Sequence, residues 1–296
     1  MTKSAVTVGF DGSAESQAAL EWAAFEAERR DLPLQLLHVW SWQPYALTAD
    51  PDKEQEWVER VPRRAARRLA ERHPGLRIDH RNVPGVPADV LSDPAPETTL
   101  LVLGSRALGR VGGYLLGSVG QEVLSRTEGP VVMVRAPFDE GEDQEGATPA
   151  QHPGDSPVAV GLDLVQPSEQ VLRFAFETAA LRGAALRAVY AWRVPPVFSY
   201  GPRMVDQRLR GDLERREREM LTKVLRPWRE RHPGVTVEES VAPGNATRHL
   251  VASSHDASLL VVGRRVRHPA LGPQLGPVTQ AAVHHATPPV AVIPHG

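Results

Sequence analysis

Cysteine is absent from all 296 residues, which excludes disulfides, thiolate metal sites and cysteine nucleophiles. Lysine is nearly absent too. Lys3, Lys53 and Lys223 are the only lysines among 34 Lys and Arg, a bias that reads as GC-rich coding rather than function. No apolar run approaches the roughly 20 residues of a membrane span. The opening stretch MTKSAVTVGFDGS has too short an apolar run for a signal peptide, so a cytoplasmic protein is expected. A net charge of −2 provides no global basic field to draw nucleic acid or an anionic membrane. Several catalytic codes are missing as well: no nucleophile elbow, no zinc-ligand spacing and no G-x-G-x-x-G fingerprint. GSRALGRV has the glycine spacing of a P-loop but continues Arg110-Val111 where Lys-Ser/Thr would handle phosphate and metal.

What is present is a repeat. LEWAAFEAERRDLPLQLLHVW from Leu20 is echoed by LRFAFETAALRGAALRAVYAW from Leu172, at an offset of 152. The 34 residues from His73 match those from His232 at 11 positions without a gap, at an offset of 159. With 41% hydrophobic residues the chain can bury two cores. The expected domains are 1–137 and 156–296. The intervening 138–155 is acidic, free of Lys and Arg and rich in Gly and Pro, a composition that reads as a solvated linker.

Each copy alternates short apolar runs with amphipathic stretches. In the first these are AVTVGF, a helix over Ser13–Arg30, LQLLHV, a helix across Lys53–His73, LRIDHRNV, a short helix after Gly85, TLLVLG, a helix from Gly117, and PVVMV. Ser13 is placed to cap the first helix, and Pro33 blocks its continuation. Strands that are apolar without alternation suit a parallel sheet covered on both faces. The fold expected is α/β, two tandem doubly wound domains, each a five-stranded parallel sheet flanked by helices. The second copy's run Arg208–His232 mixes both charge signs at helical spacing and reads as a solvated amphipathic helix.

In such sheets ligands bind beyond the carboxyl ends of the strands, where the strand order reverses. Asp11 follows the first strand and Gly104 the fourth, so a reversal between those strands brings both to one crevice. Gly104 is expected to turn the chain sharply and to admit a ligand close to the backbone. Gly117-Ser118 opens a helix whose first amides suit an anion. Asp11 can accept from ribose hydroxyls or an adenine amino group, or can simply belong to a turn leading into the Ser13 cap. Ser118 can meet phosphate, cap its helix, or do both. His38, at the end of the second strand near Asp11, reads as structural.

The stretch from Gly104 resembles the nucleotide loop of the universal stress proteins: glycine, two residues, glycine, nine residues, glycine, then serine or threonine. Here it reads Gly104, Ser105-Arg106, Ala107, Leu108–Leu116, Gly117, Ser118, with Ala107 at the second glycine. VGFDGS, LLHVW and PVVMV extend the resemblance over both copies. It implies an adenine-nucleotide α-hydrolase-like fold and ATP binding, with Mg2+ if the ligand is a triphosphate; ADP and AMP stay open. It assigns the adenine and ribose side to Phe10, Asp11 and the main chain around Val39. It assigns the phosphates to Gly104, Gly117, Ser118 and Val119, with Leu103 on the floor.

In the second copy the matching positions are Asp163, Gly263, Val266, Gly276 and Pro277. Proline at a first helical turn keeps the fold but supplies neither hydroxyl nor N–H, so this site is expected to be weak or silent. Arg264, Arg265 and Arg267 could suit a different anion. Gly109, Gly112 and Gly113 free the first loop, whereas Pro269 and Pro273 stiffen its counterpart. The function expected is an ATP-binding sensor or regulator in stress adaptation, without a catalytic residue or a resident metal. A weak ATP hydrolase or phosphotransferase, with Asp11 as its one candidate group, and an interaction module without nucleotide are the alternatives. The resemblance also implies an internal pseudo-dimer of the two domains, and leaves open a homodimer of whole chains.

Overall fold

Five parallel strands carry the first half of the chain. In the computed structural model, residues 4–40, 51–93, 97–107, 114–115, 117–136, 156–192, 207–266 and 275–296 are described. The first unit runs β1 (Ala5–Gly9), α1 (Ala14–Arg30), β2 (Leu34–Trp40), α2 (Pro51–Arg72), β3 (Ile78–Pro84), α3 (Pro87–Ser92), β4 (Thr98–Ala107), β5 (Tyr114–Leu115), α4 (Ser118–Arg126) and β6 (Val131–Arg135). The second runs β7 (Val158–Gly161), α5 (Glu169–Arg182), β8 (Leu186–Trp192), α6 (Gln207–Arg231), β9 (Val237–Pro243), α7 (Ala246–Ser253), β10 (Leu259–Arg265), α8 (Pro277–His285) and β11 (Val290–His295). The acidic stretch 138–155 lies outside the described residues.

Within the first unit the strand order is β3-β2-β1-β4-β6, and within the second β9-β8-β7-β10-β11. The order reverses between β1 and β4 and between β7 and β10, which meets the condition for Asp11 and Gly104 to share a crevice. These pairings are parallel, with Val6 opposite Leu34 and Leu100, and Val160 opposite Ala188 and Val261. The two-residue β5 is an addition to the expected set. It pairs antiparallel with the end of β4, Ala107 opposite Tyr114.

The continuous apolar runs have the predicted cause. Val6, Val8, Leu100, Leu101, Val102 and Val132 are all at most 1% exposed, because helices cover both faces of the central strands. On α1, Ala19, Leu20, Ala23, Ala24 and Ala27 form the buried stripe. Leu20 alone contributes about 1.5–3 kcal/mol relative to an exposed side chain. Ser13 caps α1, its Oγ accepting from the Ser16 amide at 3.2 Å, and Asp31 ends the helix in a left-handed conformation at φ 51°. Small residues on α1 let it lie close to the sheet, and this closeness decides the role of Gly104.

Candidate functional site

The switch point between β1 and β4 assembles the first crevice. Beyond Gly9, Phe10 continues the ladder, its amide donating to the Leu37 carbonyl at 2.9 Å, and its side chain is 3% exposed. An apolar residue one step past a central strand still points into the core, so the Phe10 ring is packing. Asp11 is the first exposed residue. Its Oδ1 accepts from the Ser13 amide at 2.9 Å and from the Ser13 hydroxyl at 2.5 Å, across Gly12 at φ 85°. Lost hydration would raise the Asp11 carboxyl, but these Ser13 hydrogen bonds outweigh it and hold the group below the usual aspartate value. The turn and the exposed carboxylate thus coexist.

On β2, Val39 is half-buried near the carboxyl end, opposite Val83 of β3. Its neighbour His38 is buried. Desolvation pushes the His38 imidazole below its usual value, opposed by a hydrogen bond with Asn82 and by the Asp11 charge. Leu103 is buried on β4, and its Cδ2 lies 2.6 Å from where a Cβ on Gly9 would stand.

Gly104 differs from expectation. It lies inside β4, opposite Val134, and its φ is not positive, so it makes no sharp turn. A Cβ there would stand 2.4 Å from the carbonyl carbon and oxygen of Glu15, in the first turn of α1. What approaches this glycine closely is the helix. Ala107 is the last residue of β4 and is held in the short ladder with β5. Gly109, Gly112 and Gly113 lie outside the described residues.

Gly117 is the N-cap of α4, and no side chain caps this helix end. Ser118 is therefore the first helical residue and not the cap. Gly117 and Ser118 are exposed and Val119 is half-buried. The helix's own ladder begins only with the Gln121 amide, which donates to Gly117 O at 2.9 Å. The amides of Ser118, Val119 and Gly120 are thus spare of the ladder and aligned with the positive end of a helix dipole.

The second crevice keeps the frame and changes its polar groups. Gly263 lies within β10, and Gly276 is the N-cap of α8 with Pro277 at the first helical position, as expected. Asp163 holds the place of Asp11, but Val165 replaces Ser13. Asp163 Oδ1 accepts from the Val165 amide at 2.9 Å and Oδ2 from Arg265 Nη2 at 2.7 Å. Arg265 therefore serves an internal carboxylate. Arg264 is 5% exposed, its guanidinium pushed down by burial, and Arg267 lies outside the described residues, so the expected arginine cluster is not presented as one anion site. Thr279 Oγ1 donates to Gly263 O at 2.8 Å. Tyr190, in the place of His38, donates its hydroxyl to Glu217 at 3.0 Å. Sequence reasoning missed the Arg265 and Tyr190 pairings, which join residues far apart in the chain. It could have found Thr279, which stands at the position of Gly120 in the 159-residue frame.

Fold and site together define a tandem of doubly wound α/β units, each with a crevice at its switch point, one open to an anion at a helix end and one tied internally. The profile of the universal stress protein family matches residues 4–135 and again 156–294. The chain belongs to the universal stress protein family. A universal stress protein of Mycolicibacterium smegmatis is 33% identical over 306 residues, covering 99% of this chain and 97% of its own. The universal stress protein Rv2005c of Mycobacterium tuberculosis is 33% identical over 299 residues, covering 97% and 96%. Among solved structures, a universal stress protein from Archaeoglobus fulgidus superposes with a TM-score of 0.71 at 17% identity, covering the whole of both chains. Among the described residues no helix is long and apolar enough to cross a membrane.

Proposed function

We propose that the protein is a nucleotide-responsive regulator whose first crevice holds an adenine nucleotide, ATP in the leading reading and ADP or AMP otherwise. The observation that carries this is the pairing of the exposed Asp11 carboxylate with the open α4 N-terminus on either side of one switch point. Asp11 and the main chain near Phe10 and Val39 would take the ribose and base. The amides of Ser118 and Val119, with the Ser118 hydroxyl, would take the phosphates, and Mg2+ would accompany a triphosphate. Leu103 and Gly104 would serve as floor, and Ala107 would start the connection over the phosphates. The donor set suits phosphate: a cradle of backbone N–H groups, with no Cβ at Gly117 and, among the described residues, nothing within 4 Å of where one would be.

Two domains, 1–137 and 156–296, joined by 138–155, belong to the same reading, as do an internal pseudo-dimer and a cytoplasmic location. The second domain, with Asp163, Gly263 and Gly276, would bind weakly or not at all. Calorimetric titration of the nucleotide-stripped chain with Mg-ATP, ADP and AMP tests the proposal. One site per chain, abolished by Gly117→Val, is expected; a Cβ there meets nothing within 4 Å among the described residues, and retained melting of the variant checks that the fold stands. No binding would refute the reading in favour of an interaction module. Steady ADP production lost in Asp11→Ala would favour a weak hydrolase. Sedimentation of whole chains decides the homodimer.

A further inference from the structure

We propose that a polar cleft near the amino ends of β1, β2 and β3, at the opposite end of the first unit's sheet from the crevice, binds a guanidino acid. By this we mean a small molecule carrying both a guanidinium and a carboxylate, as free arginine does. The cleft has a volume of about 170 Å³, and its polar lining is Gln35, Arg77, Asp79, Arg81 and Glu97. The second unit shows what the same corner of the fold accepts. There Arg187 stands opposite Glu238 across β8 and β9. Its Nε donates to Glu238 Oε2 at 3.0 Å and its Nη1 to the Ser253 carbonyl at 3.0 Å. Nη1 and Nη2 also donate to Asp256, to Oδ1 at 2.5 Å and Oδ2 at 3.2 Å. A guanidinium thus fills this corner between two carboxylates, one on the edge strand and one just before β10.

The first unit keeps both carboxylates and lacks the guanidinium between them. Gln35 holds the place of Arg187, opposite Asp79, which replaces Glu238. Glu97 replaces Asp256, each three residues before the leucine, Leu100 or Leu259, that pairs with Val6 or Val158. The cations of this cleft come from the edge strand instead. Arg77, just before β3, and Arg81 within it take the places of Thr236 and Ser240. Arg77 Nη2 reaches Asp79 Oδ2 at 3.1 Å, but both side chains are more than half exposed, so the pair is weak and open to exchange. The side chains of Glu97 and Arg81 have no hydrogen bond or ion pair among the described residues. A bare cation in the cleft would meet two arginines, and a bare anion two carboxylates. A ligand with both charges answers the lining as it stands. Its guanidinium would take Glu97 and Asp79, as Arg187 takes Asp256 and Glu238, and its carboxylate would take Arg81 in the forked geometry that guanidinium favours. Gln35, neutral and shorter than arginine, leaves the space that Arg187 fills in the other unit.

The test is a calorimetric titration of the full chain with L-arginine and with agmatine, which lacks the carboxylate. L-Arginine should bind saturably at one site per chain, and agmatine at least about fivefold more weakly. Gln35→Arg supplies the side chain that the second unit carries there and should abolish binding of both. Glu97→Gln should weaken both at least about tenfold, because a hydrogen bond between charged groups is lost. Arg81→Gln should bring L-arginine down to the level of agmatine and leave agmatine no weaker. A first-unit melting transition retained in each variant assigns the loss to the cleft rather than to unfolding. No saturable binding of L-arginine, or binding undiminished by Gln35→Arg, would overturn the proposal. Equal weakening of both ligands in Arg81→Gln would overturn the carboxylate contact and with it the assignment to a guanidino acid. The cleft shares no residue with the crevice, so the outcome stands apart from the nucleotide reading.

Discussion

Replacing Gly104 by alanine separates the two roles that a glycine can have at the end of a strand. A Cβ at this position would stand 2.4 Å from the carbonyl carbon and oxygen of Glu15 and 2.9 Å from its Cβ. That is more than about 1 Å inside ordinary carbon contact. Two of the three opposing atoms are backbone, in a helix turn fixed by the Ser13 cap and packed on the sheet, so no rotamer change relieves the clash. Either α1 or β4 must move. Overpacking of a tight core costs about 1–3 kcal/mol, and rigid backbone opposite the new methyl places this case in the upper half of that range. Gly263→Ala is the control. Its nearest atoms are the His295 ring at 2.7 and 2.9 Å and the Val171 Cγ2 at 3.0 Å. His295 is one residue from the C-terminal Gly296 and only half-buried, so its ring can swing aside for about 1 kcal/mol or less. For units of this size 1 kcal/mol moves the melting temperature by about 2–4 °C. Scanning calorimetry should therefore show the first unit's transition fall by about 4–12 °C in Gly104→Ala and the second unit's by no more than about 4 °C in Gly263→Ala. Equal shifts, or an unmoved Gly104→Ala, would refute the packing argument. Lost nucleotide affinity without lost stability would return Gly104 to the role of ligand approach.

Two further expectations concern single side chains. Ser13→Ala removes a hydroxyl that both caps α1 and donates to Asp11, so it should cost about 1 kcal/mol in denaturant unfolding. The Asp11 carboxyl should then titrate higher by NMR. Because its folded value lies below the ordinary 3.8, the Asp11 contribution to stability is complete above that pH and is lost as pH falls through the lowered value; an unchanged titration in Ser13→Ala would discard the assignment. Tyr190 is pushed up to about 12, first by burial and then by its bond to Glu217 and the charges of Glu217 and Asp163. Its proton is held more tightly in the folded chain, so the stability it confers is full below pH 10 and declines as pH rises towards 12. Ultraviolet titration should show a late phenolate phase that vanishes in Tyr190→Phe.

The order of elements was legible because it rests on local signals: apolar runs, Ser13 as a cap, and a repeat that checks every assignment twice. The reversal between β1 and β4 was left as a condition, because no local signal fixes which strands become neighbours. The sharp turn expected at Gly104 was misread for a physical reason. A glycine in the chain announces that something comes close to it, and only the packing of α1 says that the something is Glu15. Phe10, which the resemblance puts on the ligand side, is buried among the core residues that follow β1. The Asp163–Arg265 pair joins residues on different strands and leaves no pattern in either segment. Family likeness reached the positions that the two copies share and passed over Thr279, where they differ.

The differences between the copies fall in the core as well as in the crevice: Ala24 stands against Phe176 and Leu36 against Ala188, all fully buried. Val6, Val8 and Leu101 in one copy and Val158, Val160 and Leu260 in the other are equally apolar and buried. Ser13 against Val165, Ser118 against Pro277 and Gly120 against Thr279 all lie at the carboxyl ends of the strands or on the facing helix end. In the first copy the α4 end has no side-chain cap, whereas in the second Pro277 removes one amide and Thr279 satisfies the Gly263 carbonyl. A crevice whose polar groups already have partners gains little from a polar ligand, because each new bond replaces an old one. Of these differences, those at the helix ends are the ones that would alter binding, as expected if one unit responds to a ligand and the other does not.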